Sequence, residues 1–190
     1  LADIASRTST GRSLMPEGFE ALGADGLRDL LAYLCVDESR FRLIDLTRAF
    51  TANNSRGLFI SPENVEDTVT FNRYGLRRVE DVPFDVVSPD KAAANVIVLK
   101  GGAPNTWSRT TLPQRVEARV GVAARRLHFL GGVAGWGAPI NDKADAARVT
   151  VHYAGGATQE LLMKNGTEFA DYNGRFDVPG SRPLNWTVGR

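Results

Sequence analysis

At 190 residues the chain is long enough for one domain with a sizeable core plus a small appendage, and too short for two full domains. Its 23 Lys and Arg stand against 22 Asp and Glu, a formal net charge of +1 with the signs interleaved, so it offers no electrostatic footprint for nucleic acid and no polybasic patch for a membrane surface. Hydrophobic residues make up 43%, the share of a globular protein, and no uncharged run reaches the ~18 apolar residues of a membrane span; the longest candidate, Leu127 to Ile140, is broken by glycines.

Residues 1–38 read as a helical appendage. After the loop "ASRTSTGRSLMPEG", Leu27, Leu30, Leu31 and Leu34 recur at helical spacing, with Asp25 placed to cap a short helix over "GLRDLLAYLC". So short a helix is marginal alone, and its leucine face is expected to pack on something. Cys35 belongs to that apolar face as a small buried hydrophobe; as the single cysteine it excludes an internal disulfide and leaves the redox compartment open. The chain starts at Leu1, which suits a processed or excised piece of a longer parent.

Over residues 39–190 the apolar pattern changes to period two, the mark of half-buried strands. "RVEARVGV" alternates Val116, Ala118 and Val120 with Arg115, Glu117 and Arg119, and is expected in the interior of a sheet. "NVIVLK", apolar on both faces, reads as a central strand. "RVTVHY" sets Val149, Val151 and Tyr153 on one face; "AGGA" supplies the tight turn, and "TQELLM" returns as the second arm of a hairpin. "FRLIDL", "GLFI", "DTVTF", "GLRRVE", "FDVV", "RLHFL" and "EFADY" are further strand candidates, punctuated by Gly, Pro, Asn and Asp. The expected fold is mainly β, an antiparallel sandwich or jelly roll with the short helix appended.

The densest chemistry lies in "LHFLGGVAGWGAPIND". Trp136, flanked by Gly135 and Gly137, would set an indole on a loop with little steric cover, and a sugar ring needs such a platform beside polar side chains. His128, Asn141 and Asp142 complete that candidate glycan site; the competing assignment has Trp136 plugging the end of the sandwich. "NGTEFADYNGRFD" adds Tyr172 and Arg175 to the ligand-binding candidates. Asp142, Asp145, Glu168 and Asp171 could furnish oxygens to calcium, although no loop has a recognised calcium spacing. The same carboxylates are candidates for a glycosidase acid and base, but nothing brings two of them to a catalytic separation. His128 and His152 lack the nitrogen or thiolate partners of a metal site. The sequons at Asn53, Asn165 and Asn185 are attributed to chance.

Ser13-Leu14-Met15-Pro16-Glu17-Gly18, followed by a helix carrying Leu30, Leu31 and Tyr33, resembles the C-terminal end of the haem-binding, c-type cytochrome-like domain of large secreted bacterial multidomain proteins. The resemblance covers about a fifth of the chain and implies that Met15 is an axial haem ligand in a longer parent. Here the departure is decisive: covalent haem c needs Cys-x-x-Cys-His, and only Cys35 is present, so no haem is expected in this chain itself. "NNSRGLF", "VPFDVVSPDKAAANVIVLKGG", "RRLHFLGGVAGWG" and "VHYAGGATQELLMKNGTEFADYNGRFDVPGS" resemble the galactose-binding-like β-sandwich module that often follows such domains. That resemblance implies a non-catalytic accessory module, extracytoplasmic and bacterial, whose partner is a polysaccharide or a neighbouring domain of its parent. The alternatives are a structural linker of a haem-containing redox protein with no ligand of its own, and a carbohydrate-active enzyme using the Asp/Glu loops.

Overall fold

A computed structural model describes residues 19–34, 40–61, 63–101, 111–134, 144–171, 176–184 and 188–189. The chain divides into two compact units, Leu1–Phe41 and Arg42–Arg190.

The first unit holds one 3-10 turn, Phe19–Leu22, running into helix α1, Gly23–Leu34. Gly23, at φ +64°, lets the chain reverse between the two. The helix therefore starts two residues before the expected cap. Asp25 sits inside its first turn and pairs with Arg28, where a negative charge also suits the helix dipole. The turn packs tightly on the helix: a methyl group at Gly26 would lie 2.9 Å from Leu22 Cβ. Leu27 and Leu30 are half-buried, whereas Leu31 is 55% exposed. Met15 and Cys35 lie outside the described residues.

In the second unit strand outweighs helix, as the period-two pattern predicts. Three antiparallel pairs are present among the described residues. Strands β1 (Thr70–Phe71) and β6 (Val188–Gly189) form a two-residue pair. Strands β2 (Gly75–Val79) and β3 (Val82–Val86) form a hairpin in register Val79↔Val82, turned by Glu80-Asp81 with Glu80 at φ +56°. Strands β4 (Asp145–His152) and β5 (Thr158–Lys164) form the longest pair, in register His152↔Thr158, with Gly156 at φ +83° in the turn. Along β4, Ala147, Val149 and Val151 are half-buried while Arg148, Thr150 and His152 are exposed, the alternation expected of a strand with one covered face. Tyr153 falls beyond the strand and is exposed.

Residues 51–54 join residues 95–98, and polar side chains do much of the stitching. The backbone pairs through one antiparallel bridge, Ala52↔Val96, with hydrogen bonds from Thr51 N and Ala52 N to Val96 O and from Asn95 N and Val96 N to Ala52 O. Beside it, Thr51 Oγ1 donates to Val98 O and accepts from Val98 N, both at 2.7 Å. Asn54 N donates to Asn95 Oδ1 at 2.9 Å, and Asn95 Nδ2 donates back to Asn54 Oδ1 at 2.8 Å. The remaining protons reach outward: Asn54 Nδ2 to Val69 O and to Tyr74 Oη, Asn95 Nδ2 to Val87 O. Asn54 is only 2% exposed, so burial of its amide is compatible with stability only because its polar atoms are satisfied. Ala49, Ala52, Leu58, Leu76 and Val86 are buried in the same unit, a core of mostly small and aliphatic side chains.

Several expected strands differ from this structure, "FRLIDL" and "GLFI" among them, which lie in no strand. "NVIVLK" makes a bridge and side-chain bonds rather than a central strand. "RVEARVGV" lies in no sheet: Val116 and Val120 are half-buried, but Arg115, Glu117, Ala118 and Arg119 are exposed. Alternation states only that one face is fit for burial; a strand also needs a partner offering complementary backbone and side-chain neighbours. "RLHFL" is likewise outside any strand, with Phe129 54% exposed.

Candidate functional site

A groove of about 440 Å³ lies between residues 42–49 and residues 117–121, both within the second unit. Its first wall is built by "RLIDLTRA". Asp45 Oδ1 accepts from Thr47 N at 2.9 Å and Thr47 Oγ1 at 2.8 Å, closing an Asx-type turn that leads into the 3-10 turn Thr47–Ala49. Ala49 N donates to Leu46 O at 2.8 Å, and Ala49 itself is buried, which anchors the wall. Arg42 and Asp45, on irregular backbone, and Arg48, in the 3-10 turn, all line the groove.

The second wall is the strand-like but unpaired run from Glu117 to Gly121. Gly121, at φ +68°, bends the backbone, and the Arg119 side chain folds back over it, its Nε 3.8 Å from where a Cβ would stand. Glu117 Oε1 pairs with Arg115. Ala49, Ala118 and Val120 supply an apolar floor.

Three guanidiniums, Arg42, Arg48 and Arg119, thus face a groove carrying two carboxylates, Asp45 and Glu117. None of the three makes a hydrogen bond or ion pair among the described residues. Both carboxylates, by contrast, commit one oxygen to the protein. The Thr47 backbone N–H, then the Thr47 hydroxyl, hold the Asp45 carboxyl below the usual aspartate range, with a smaller contribution from the charge of Arg48. Asp45 is therefore ionised under ordinary conditions. Its Oδ2 and Glu117 Oε2 take no partner among the described residues, so the groove presents acceptors as well as donors.

The structure does not bring the sequence-predicted site residues into this groove. Trp136, Asn141, Asp142, Tyr172 and Arg175 lie outside the described residues. His128 is exposed on the irregular run beyond the groove, and His152 is exposed at the end of β4. Of the calcium candidates, Asp145 is bonded through Oδ1 to Lys164 Nζ at 2.9 Å, and Glu168 Oε2 accepts from Lys164 N at 2.8 Å. Those two carboxylates serve the open end of the β4–β5 hairpin, while Asp171 sits at a bridge with Val133. Among the described residues no three His, Cys, Asp or Glu side chains gather where a metal ion could sit. The donor set does not fit covalent haem either, since one thiol cannot supply the attachment pair. Two sequon asparagines have structural roles: Asn53 Nδ2 donates to Pro89 O at 3.1 Å, and Asn165 is buried.

No family model, curated protein or solved structure matches the chain.

The groove was signalled only weakly in the sequence. Arg42, Asp45 and Arg48 recur at a helical spacing inside a stretch whose apolar residues, Phe41, Leu43, Ile44 and Leu46, read as a strand.

Proposed function

We propose that this chain is a non-catalytic accessory module that binds a glycan for a larger extracytoplasmic bacterial protein, with residues 39–190 folded as an antiparallel β-sandwich of galactose-binding-like type. The sandwich reading draws support from the two hairpins, β2–β3 and β4–β5, and from the single covered face of β4. The glycan reading rests chiefly on the groove at Arg42, Asp45, Arg48, Glu117 and Arg119, a concave surface with hydrogen-bond donors, acceptors and an apolar floor side by side. Sugar hydroxyls require both kinds of polar partner, and the C–H faces of a pyranose suit the alkyl floor. Met15 acts as an iron ligand only in the longer parent, where a Cys-x-x-Cys-His segment stands opposite it.

Affinity electrophoresis of the purified chain through gels containing a panel of soluble polysaccharides tests this function. Retardation by at least one polymer is expected, with no release of reducing sugar on long incubation. Free migration in every gel would leave the module as a structural linker, and sugar release would make it an enzyme.

A further inference from the structure

We infer that the groove selects acidic polysaccharides: it binds a glycan carboxylate on the Arg48–Arg119 guanidiniums while Asp45 and Glu117 accept from neighbouring sugar hydroxyls. This deepens the glycan reading and rests on it. The chemistry follows from which charges are already spent. Five charged side chains line the groove, and the two acids are each held on one oxygen by the protein, whereas the three arginines make no hydrogen bond or ion pair among the described residues. A guanidinium lining a concave surface without a carboxylate partner is a free planar fork, and a ligand carboxylate accepts two parallel N–H bonds from such a fork. Exposure of these arginines lowers the strength of each contact, but convergence of three on one groove gives a ligand several contacts at once.

The two carboxylates decide among anionic polymers. Asp45 Oδ2 and Glu117 Oε2 can only accept hydrogen bonds while ionised, and Asp45 is held ionised by Thr47. A nucleic acid backbone meets them with phosphate oxygens, which also only accept, at high charge density; repulsion and unsatisfied acceptors result. An acidic peptide offers carboxylates for the arginines but few hydroxyl donors for the acids. A uronic acid polymer carries both groups on every ring. The formal net charge of +1 agrees, because it provides no long-range field to hold a dense polyanion without specific contacts.

The test uses the full chain and four probes: polygalacturonate, its fully methyl-esterified form, dextran sulfate and neutral dextran, with double-stranded DNA and polyglutamate as competing polyanions. Binding to polygalacturonate is expected to weaken about tenfold or more in the double variant Arg48→Gln/Arg119→Gln and on methyl esterification. Arg125→Gln, on an exposed arginine that does not line the groove, is expected to leave binding within about twofold. Because Arg48 and Arg119 make no hydrogen bond or ion pair among the described residues, both variants should melt with the wild type, which separates lost contacts from lost structure. Dextran sulfate bound as tightly, with the same dependence on Arg48 and Arg119, would replace carboxylate selectivity by general anion selectivity and overturn the inference. So would DNA or polyglutamate competing at equal affinity, or an Arg125→Gln effect as large as that of the double variant. Retention of neutral dextran and the methyl ester, untouched by Arg48→Gln/Arg119→Gln, would sink this inference and spare the glycan function. Absence of binding to every polysaccharide would sink both.

Discussion

Residues 51–98 and residues 115–132 carry comparably apolar, strand-like sequence, and the first is stitched across distant segments by paired side chains. In the first, Thr51, Asn54 and Asn95 use side-chain atoms to complete a pairing that the backbone makes at a single bridge. The second has the cleaner alternation, "RVEARVGV", but that run joins no sheet, and its Arg115–Glu117 ion pair is local. Buried, directional and mutually satisfied polar groups specify which segment meets which. Apolar periodicity specifies only that some surface is to be covered.

The largest expected effect breaks the first region. Asn95→Leu keeps the volume roughly but strands Asn54 N–H, Asn54 Oδ1 and Val87 O together in the interior. Each stranded buried group costs about 1–3 kcal/mol, so a loss of about 3 kcal/mol or more is expected, a fall of roughly 6–12 °C in melting temperature. Ala118→Leu, in the exposed second region, should stay within about 0.5 kcal/mol. Thermal melts of the two variants check the contrast; equal shifts would mean that the paired asparagines are not what distinguishes the regions.

That contrast also explains what was legible in the sequence. The β4–β5 hairpin was, because alternation and "AGGA" point to the same turn and the same register. "GLRRVE" and "FDVV" were as well, and they became β2 and β3. The Asn54–Asn95 pair was not, since two residues 41 apart in sequence announce nothing by composition, and Asn53-Asn54-Ser55 looks more like a surface turn than a core segment. The groove was hidden for a related reason. Its walls come from segments about seventy residues apart, and each reads by itself as an ordinary mixed-charge strand. By contrast, the candidates drawn from local clustering, Asp145 and Glu168, proved local in function too: both hold Lys164.

A smaller effect sharpens the comparison from the hairpin side. Glu80 occupies the first turn position between β2 and β3 at φ +56°, where a side chain with Cβ is strained and asparagine or glycine is favoured. It also makes an exposed ion pair with Arg182, a contact of the kind that contributes little. Glu80→Asn is therefore expected to stabilise by about 0.5 kcal/mol, strain relief exceeding the lost pair, as read from denaturant midpoints at constant slope. Destabilisation would show that the Arg182 contact outweighs the strain.

The smallest effect concerns the groove wall. Asp45 is depressed by hydrogen bonds that only its ionised form accepts fully, first from Thr47 N–H and second from the Thr47 hydroxyl, with Arg48 adding to them. A carboxyl lowered in the folded state contributes stability above its unfolded value and loses that contribution as pH falls through its folded value. The turn at residues 45–47 should accordingly hold throughout the neutral range and loosen only at acidity below the usual aspartate titration. Carbon-detected NMR titration of the Asp45 carboxyl reads this directly. Thr47→Val removes the hydroxyl but keeps the stronger backbone donor, so the Asp45 pKa should rise only part of the way to the ordinary value; Arg48→Gln should raise it less. A full return to the ordinary value in Thr47→Val would assign the depression to the hydroxyl alone. Asp45 would then gain a proton more readily, and its Oδ2, the acceptor proposed for a sugar hydroxyl, would be the first part of the groove to fail on acidification.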